Sequence, residues 1–199
     1  MRSDFSIIQS YIADHSRVLD LGCGDGALLA TLAKTKRVCG YGLEINPNHI
    51  TACIAKGVDV IEQNVDAGLT NFADDSFDSV VMTQTLPAMK RPDAILEEML
   101  RVGKECVVTF PNFGHWRARF HMLLRGRMPV FDLMPYEWYD TPNIHFCTVR
   151  DFEFLCQQRN ITVLHRQFIS NRHVDSLLKT VQPNIFSETA IYHLTRSPK

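Results

Sequence analysis

Val18-Leu19-Asp20-Leu21-Gly22-Cys23-Gly24-Asp25-Gly26 decides the fold of this chain. It reads as a buried strand ending in an acid, followed by a glycine-rich turn. The helical run Ala27-Leu28-Leu29-Ala30-Thr31-Leu32-Ala33 comes next. Glycine accepts positive φ and lets a ligand approach the backbone. The first turn of the helix leaves N–H groups free to point at that same space. A strand, a glycine turn and a helix near the start of an α/β chain form a nucleotide-cofactor cradle.

The details of the turn select among nucleotides. The dinucleotide fingerprint G-x-G-x-x-G needs its third glycine three residues after the second. Here Gly26 follows Gly24 by two, and position 27 is alanine. Asp20 precedes the first glycine by two residues. A carboxylate there would repel a pyrophosphate but suits a cationic ligand. The pattern D-x-G-x-G-x-G resembles motif I of the class I S-adenosylmethionine methyltransferases, whose cofactor carries a sulfonium and an ammonium and no phosphate. The glycines alone are also compatible with a tight turn in an α/β core.

Composition narrows the class. The 199 residues suffice for one α/β domain, and 45% are apolar. A net charge of −1 argues against general nucleic-acid binding. Met1 to Ser6 has no apolar signal region, and no apolar run is long enough to span a bilayer, so the expectation is a cytoplasmic protein without a membrane anchor. The six cysteines form no C-x-x-C pair and read as reduced thiols. The eight histidines form neither H-x-x-x-H nor H-E-x-x-H, so no metal site is expected.

The rest of the chain alternates. Residues 4–13 predict an amphipathic helix with Phe5, Ile8 and Ile12 on one face. A strand from Arg37 ends in Glu44, about twenty residues past the glycine turn, where such folds set an acid on the ribose hydroxyls. An exposed strand-end acid is the alternative. Asn46-Pro47 starts a helix that Gly57 stops. A third strand, Val58–Ile61, runs toward Asp66, which could lie near an adenine or cap a short helix. Phe77–Met82 is a fourth strand, followed by Gln84. Pro92-Asp93 opens a helix that Gly103 stops, and Glu105–Phe110 is a fifth strand. This order implies a parallel doubly wound sheet.

Residues 111–147 break the rhythm. Trp116, Phe120, Leu123 and Leu124 share one helical face among Arg117, Arg119, Arg125 and Arg127, with no acid between 117 and 128. A connection of this length is usually a cap or an interaction segment, and tryptophan, tyrosine and arginine are the common interface anchors. Thr148 with Asp151 predicts a capped helix over Val149–Arg159. Ile161–Leu164 and Ala190–Leu194 read as closing strands, with an irregular stretch between them and a short helix at Asp175–Val181.

Four later segments are more distinctive than the glycine motif. They are MTQTLPAMKRPDAILEEMLRVG (82–103), FPNFGHW (110–116), RGRMP (125–129) and PYEWYDTPNIHFCT (135–148). Together with VLDLGCGDG they resemble the methionine biosynthesis protein MetW family over nearly the whole chain. The resemblance implies an α/β Rossmann-like methyltransferase fold over residues 1–199. It implies seven strands in the order 3-2-1-4-5-7-6, the last antiparallel, with helices on both faces. It implies S-adenosyl-L-methionine or S-adenosyl-L-homocysteine as ligand. Asp20, Gly22 and Gly24 would surround its methionine moiety, with Glu44 at the ribose, Asp66 near adenine and Gln84 facing the sulfonium. It also implies partnership with homoserine O-acyltransferase (MetX), in which the chain acts as an accessory subunit. A homodimer stays open. Gln84-Thr85-Leu86-Pro87 lacks the [DNS]-P-P-[YF] set of amide-methylating enzymes. His115, His121 and His145 are either bases or structural hydrogen-bonding groups. Methyl transfer to a small molecule is therefore the alternative activity.

Overall fold

The computed structural model describes residues 3–131, 135–170 and 181–197. Its strands are β1 (Arg17–Leu21), β2 (Cys39–Glu44), β3 (Asp59–Glu62), β4 (Phe77–Thr83), β5 (Gly103–Pro111), β6 (Ile161–Ile169) and β7 (Thr189–Arg196). They form one sheet in the order β3-β2-β1-β4-β5-β7-β6. β1 to β5 pair in parallel, and β7 runs antiparallel to both β5 and β6. This is the order the resemblance implies.

The helices are α1 (Ser3–Tyr11), α2 (Ala27–Lys36), α3 (Pro47–Ala55), α4 (Pro92–Val102), α5 (Trp116–Arg125) and α6 (Val149–Gln158). Strand alternation divides the core between the two faces of the sheet. Leu19, Val80, Met82, Cys106 and Val108 pack with Leu96 and Met99 of α4 and Phe152 of α6. Val18, Val81, Val107 and Ile191 pack with Ile8 of α1, Leu29 and Leu32 of α2, and Cys53 of α3. A central parallel strand is covered on both faces, so Val18, Leu19 and Leu21 are all fully buried. Each such side chain contributes about 1.5–3 kcal/mol of hydrophobic stabilisation.

Local chemistry explains most element boundaries. Asn46 caps α3 by accepting from the Asn48 N–H at 2.9 Å, with Pro47 at the first helical position. α1 ends earlier than the periodicity predicts, yet Ile12 just beyond it remains buried. Gly103 does not end α4 as a left-handed cap. Its φ of −111° is extended, and it begins β5 directly. Glycine is needed there for space, because a Cβ would lie 2.6 Å from Val80 Cγ2.

The closing strands are longer than the sequence predicts. β6 pairs with β7 from Ile161↔Arg196 to Ile169↔Thr189, with an irregularity between Val163 and His165. β6 is an edge strand, so His165, Arg166 and Gln167 face solvent and conceal its extent in the sequence. The helix expected at Asp175–Val181 falls mainly on 171–180, outside the described residues. A short helical turn, Pro183–Phe186, precedes β7.

The capping box at α6 is present in both directions. The Asp151 N–H donates to Thr148 Oγ1 at 3.2 Å, and the Thr148 N–H donates to Asp151 Oδ2 at 2.9 Å. Thr148→Ala should lower stability by about 1 kcal/mol. Urea unfolding should show this as a lower midpoint with an unchanged slope.

Candidate functional site

The carboxyl ends of β1, β2 and β4 converge at the glycine turn. Gly22, Gly24 and Gly26 have φ of 70°, 56° and 71°. The outer two glycines are required by internal packing. A Cβ on Gly22 would lie 2.7 Å from Thr85 Cγ2, and one on Gly26 would lie 2.9 Å from Cys53 Sγ. Gly24 differs, because no atom lies within 4 Å of where its Cβ would stand. The middle of the turn therefore faces open space while its neighbours face protein.

Backbone bonds stitch the turn to β2. The N–H groups of Gly22 and Cys23 both donate to Leu43 O, at 2.9 and 3.1 Å. Glu44 completes the join. Its Oε2 accepts from the Gly24 N–H at 2.9 Å, and its Oε1 accepts from the N–H groups of Ile45 and Asn46 at 2.8 and 2.9 Å. The side chain is buried, which overturns the reading of Glu44 as an exposed strand-end acid. His49 Nδ1 lies 3.6 Å from Glu44 Oε2. A carboxylate accepts at about four positions, so Glu44 retains capacity for one further donor.

Asp20 is buried on β1, one residue before the strand end. Burial, aided by the negative charge of Asp20, pushes the Cys23 thiol well above its ordinary range. Cys23 and Cys53 stay free, their sulfurs 3.8 Å apart, and all six cysteines are thiols. The Cys53 thiol donates to Gly24 O at 3.2 Å.

Gln84 follows β4 with φ of 59°, a left-handed conformation that costs a non-glycine residue about 1–2 kcal/mol. Its N–H is shared between Thr109 O at 3.0 Å and Thr109 Oγ1 at 3.1 Å. This pins the strained residue to β5 and sets Thr85 against Gly22.

Asp66 lies farther along the strand ends, in a 3₁₀ turn over Val65–Ala67. The cap of that turn is Asn64, whose Oδ1 accepts from the Asp66 N–H at 2.9 Å. The Asp66 carboxylate does not cap it. Its Oδ1 accepts instead from the Lys90 N–H at 2.9 Å, tying the β3 end to the loop after β4. The same loop receives the long connection. The N–H groups of Ile144 and His145 donate to Pro87 O at 3.0 and 2.9 Å, and His145 Nε2 lies 3.4 Å from Lys90 O. Lys90 thus joins Asp66 to His145.

Two aromatic rings of the connection stand in solvent rather than in the cradle. Trp138 and Tyr139 are 70% and 69% exposed and stand edge to face against each other. His115 is buried, and its Nδ1 accepts from the Arg117 N–H at 3.4 Å as the N-cap of α5. Burial lowers its pKa, while Glu188 acts in the opposite sense.

Asn112 lies within FPNFGHW, and the sequence alone indicates no role for it. The Asn112 side chain is fully buried. Its Oδ1 accepts from the N–H groups of Gly114 at 3.0 Å and Val149 at 3.2 Å. Its Nδ2 donates to Ser187 O at 2.8 Å and Asn184 O at 3.2 Å. One amide therefore binds the end of β5, the approach to α5, the start of α6 and the turn before β7. Gly114 is required beside it, since a Cβ there would lie 2.9 Å from Asn184 O. An Asn-x-Gly at a strand end was the available signal.

Among the described residues no group of three His, Cys, Asp or Glu side chains could hold a metal ion, and no helix is long and apolar enough to cross a membrane.

Comparison with known proteins places this geometry. The family model described as "Methionine biosynthesis protein MetW" matches residues 2–194. A "Bifunctional methionine biosynthesis protein MetXA/MetW" of Rhodopirellula baltica is 34% identical over 200 residues, covering 94% of this chain and 32% of the relative. A "Fatty-acid O-methyltransferase" of Mycolicibacterium smegmatis is 34% identical over 91 residues, 43% of this chain and 32% of that protein. The chain thus spans about a third of the length of these curated relatives. An S-adenosylmethionine-dependent methyltransferase structure from Mesorhizobium loti superposes with a TM-score of 0.71 at 14% identity, covering 96% of each chain. That likeness shows the fold.

Proposed function

The chain belongs to the methionine biosynthesis protein MetW family, and from that premise we propose that it is an accessory subunit that binds S-adenosyl-L-methionine or S-adenosyl-L-homocysteine and activates homoserine O-acyltransferase (MetX). The observation that carries the partner reading is the Rhodopirellula relative, whose name joins MetXA and MetW in one chain. A fusion holds two modules at high effective concentration, which separate chains must replace with an interface.

The cradle supports the ligand reading. S-adenosylmethionine carries an activated methyl group on a sulfonium. Asp20 and Glu44 supply negative charge beside the turn, which suits a ligand without phosphate. The open side of Gly24 lets ligand atoms touch the backbone. Gly22 sets the turn, and Glu44 has capacity for a ribose hydroxyl. In this reading Asp66, bonded to Lys90, would serve the adenine, and Gln84, just past β4, would serve the sulfonium. Calorimetry with each nucleoside on the pure chain tests this, and saturable binding is the expected result. Co-elution of the chain with homoserine O-acyltransferase tests the partner reading.

A second reading is methyl transfer to a small molecule. Two observations favour it: the similarity to a fatty-acid O-methyltransferase over part of the chain, and the exposure of Trp138 and Tyr139, which leaves the cradle unplugged by those rings. Transfer of labelled methyl to a carboxylic acid would support this reading.

A further inference from the structure

α5 wears its apolar side outward. Trp116, Phe120, Leu123 and Leu124 follow the i, i+4, i+7, i+8 spacing of one helical face and are 42%, 55%, 78% and 73% exposed. The buried residue of this helix is Ala118. Neither side of the sheet uses the stripe, since none of the four residues belongs to either core cluster. A contiguous apolar ridge left in solvent marks an interaction surface rather than ordinary scatter.

The ridge is held ready. His115 caps the first turn of α5, and Gly126, with φ of 60°, closes the last by donating its N–H to Met122 O at 2.9 Å. The Arg119 Nε–H donates to Gly114 O at 2.6 Å, and Asn112 fixes Gly114 in turn. Trp116 and Phe120 are arranged edge to face, with ring centroids 6.3 Å apart. Such pre-ordering reduces the entropy lost on docking.

The flanks are cationic. Arg125 and Arg127 border a small hollow of about 230 Å³ with His121, Met128, Val130 and Glu137. Neither arginine has an ion pair with a carboxylate among the described residues, and no acid lies between 117 and 128. Symmetric pairing of two copies of this face would bring two arginine-flanked surfaces together (Arg117, Arg119, Arg125 and Arg127 on each), with Glu137 as the nearby acid. A bilayer is also a poor occupant, because a helix of 10 residues offers a short stripe and the chain's net charge is −1.

We infer that α5 is a docking helix that inserts the ridge Trp116–Phe120–Leu123–Leu124 into an apolar groove on a partner protein, with carboxylates on the groove rim meeting Arg125 and Arg127. The inference rests on the acyltransferase reading above and identifies the surface that reading requires. Helix-in-groove recognition uses this anchor spacing, and rim charges set association rate and specificity.

The test measures association of the full chain with homoserine O-acyltransferase by analytical ultracentrifugation. It uses wild type, Leu123→Ser/Leu124→Ser and Arg125→Glu/Arg127→Glu. These exposed substitutions should leave the thermal midpoint and the nucleoside affinity unchanged. Each double variant should bind at least about tenfold more weakly, and raising the salt should weaken wild type but not the arginine variant. If both variants bind like wild type, the docking helix is refuted while the acyltransferase reading stands. If wild type itself does not associate, both fall. Self-association, or binding to anionic vesicles, that the leucine variant abolishes would assign the ridge to those occupants and overturn the inference.

Discussion

Gly24→Val is expected to weaken binding of S-adenosylmethionine and S-adenosylhomocysteine severely and to leave the chain folded. The residue has φ of 56°, and no atom lies within 4 Å of an added Cβ. Valine therefore meets no protein atom at its Cβ. Its cost to the fold is the left-handed conformation, about 1–2 kcal/mol, increased somewhat by β-branching. Typical domain stabilities of about 5–15 kcal/mol absorb such a loss. The same side chain occupies the space through which ligand would reach the Gly24–Glu44 junction. We expect affinity to fall by at least about a hundredfold, or roughly 2.7 kcal/mol. Gly22→Val is the contrasting control, because its Cβ would lie 2.7 Å from Thr85 and must disturb the turn itself. Calorimetry and thermal unfolding on the same samples separate the two effects. Wild-type affinity in a folded Gly24→Val would remove the ligand from this turn.

The second large effect falls on stability. Asn112→Ala removes an amide that serves two backbone N–H donors and two backbone carbonyls in a fully buried setting. Each group left without a partner costs about 1–3 kcal/mol, and relaxation of the neighbouring segments recovers part of the sum. A net loss of about 3–5 kcal/mol is expected, in the range reserved for breaking a buried network. Urea unfolding measures it. The loss should extend to function, since the same amide holds Gly114 and thereby the start of α5. Asn112→Asp should fare little better, because it removes the donors to Ser187 O and Asn184 O and buries a charge. A change below about 1 kcal/mol in Asn112→Ala would show that this amide is not a structural centre.

The two sites differ in how far the sequence revealed them. The strand-to-helix turn was legible because its glycines, its acid and its apolar strand are contiguous, so local rules suffice. The distance from Gly24 to Glu44 was legible for the same reason, since one crossover has a narrow range of lengths. The burial of Glu44 was not, because it depends on the turn folding back until the Gly24 N–H reaches the carboxylate. Asn112 was hidden further, as Val149, Asn184 and Ser187, which it joins to nearby Gly114, lie 37 to 75 residues away in the chain. The stripe on α5 was visible as a period, but a period gives a face and not its direction. Only the tertiary structure shows it turned away from the sheet. The antiparallel β7 came from resemblance to a family, because a strand's polarity in a sheet leaves no mark on its own residues.

The proposed ligand site is linked to the connection that follows the proposed docking helix. Asp66 is bonded to Lys90, Lys90 lies against His145, and the connection between α5 and α6 is strapped to Pro87. Nucleoside binding near Asp66 and partner binding at α5, as proposed, would therefore act on parts of one chain segment and the loop it is strapped to. Any coupling between them must be reciprocal.

On the proposed function, this chain acts through another enzyme. The most direct test is the initial rate of homoserine acylation by purified homoserine O-acyltransferase, measured alone and with increasing amounts of this chain. The rate should rise saturably with complex formation, and Arg125→Glu/Arg127→Glu should shift that rise to at least about tenfold higher concentration. A rate that stays the same at every concentration of the folded chain would contradict the proposed function.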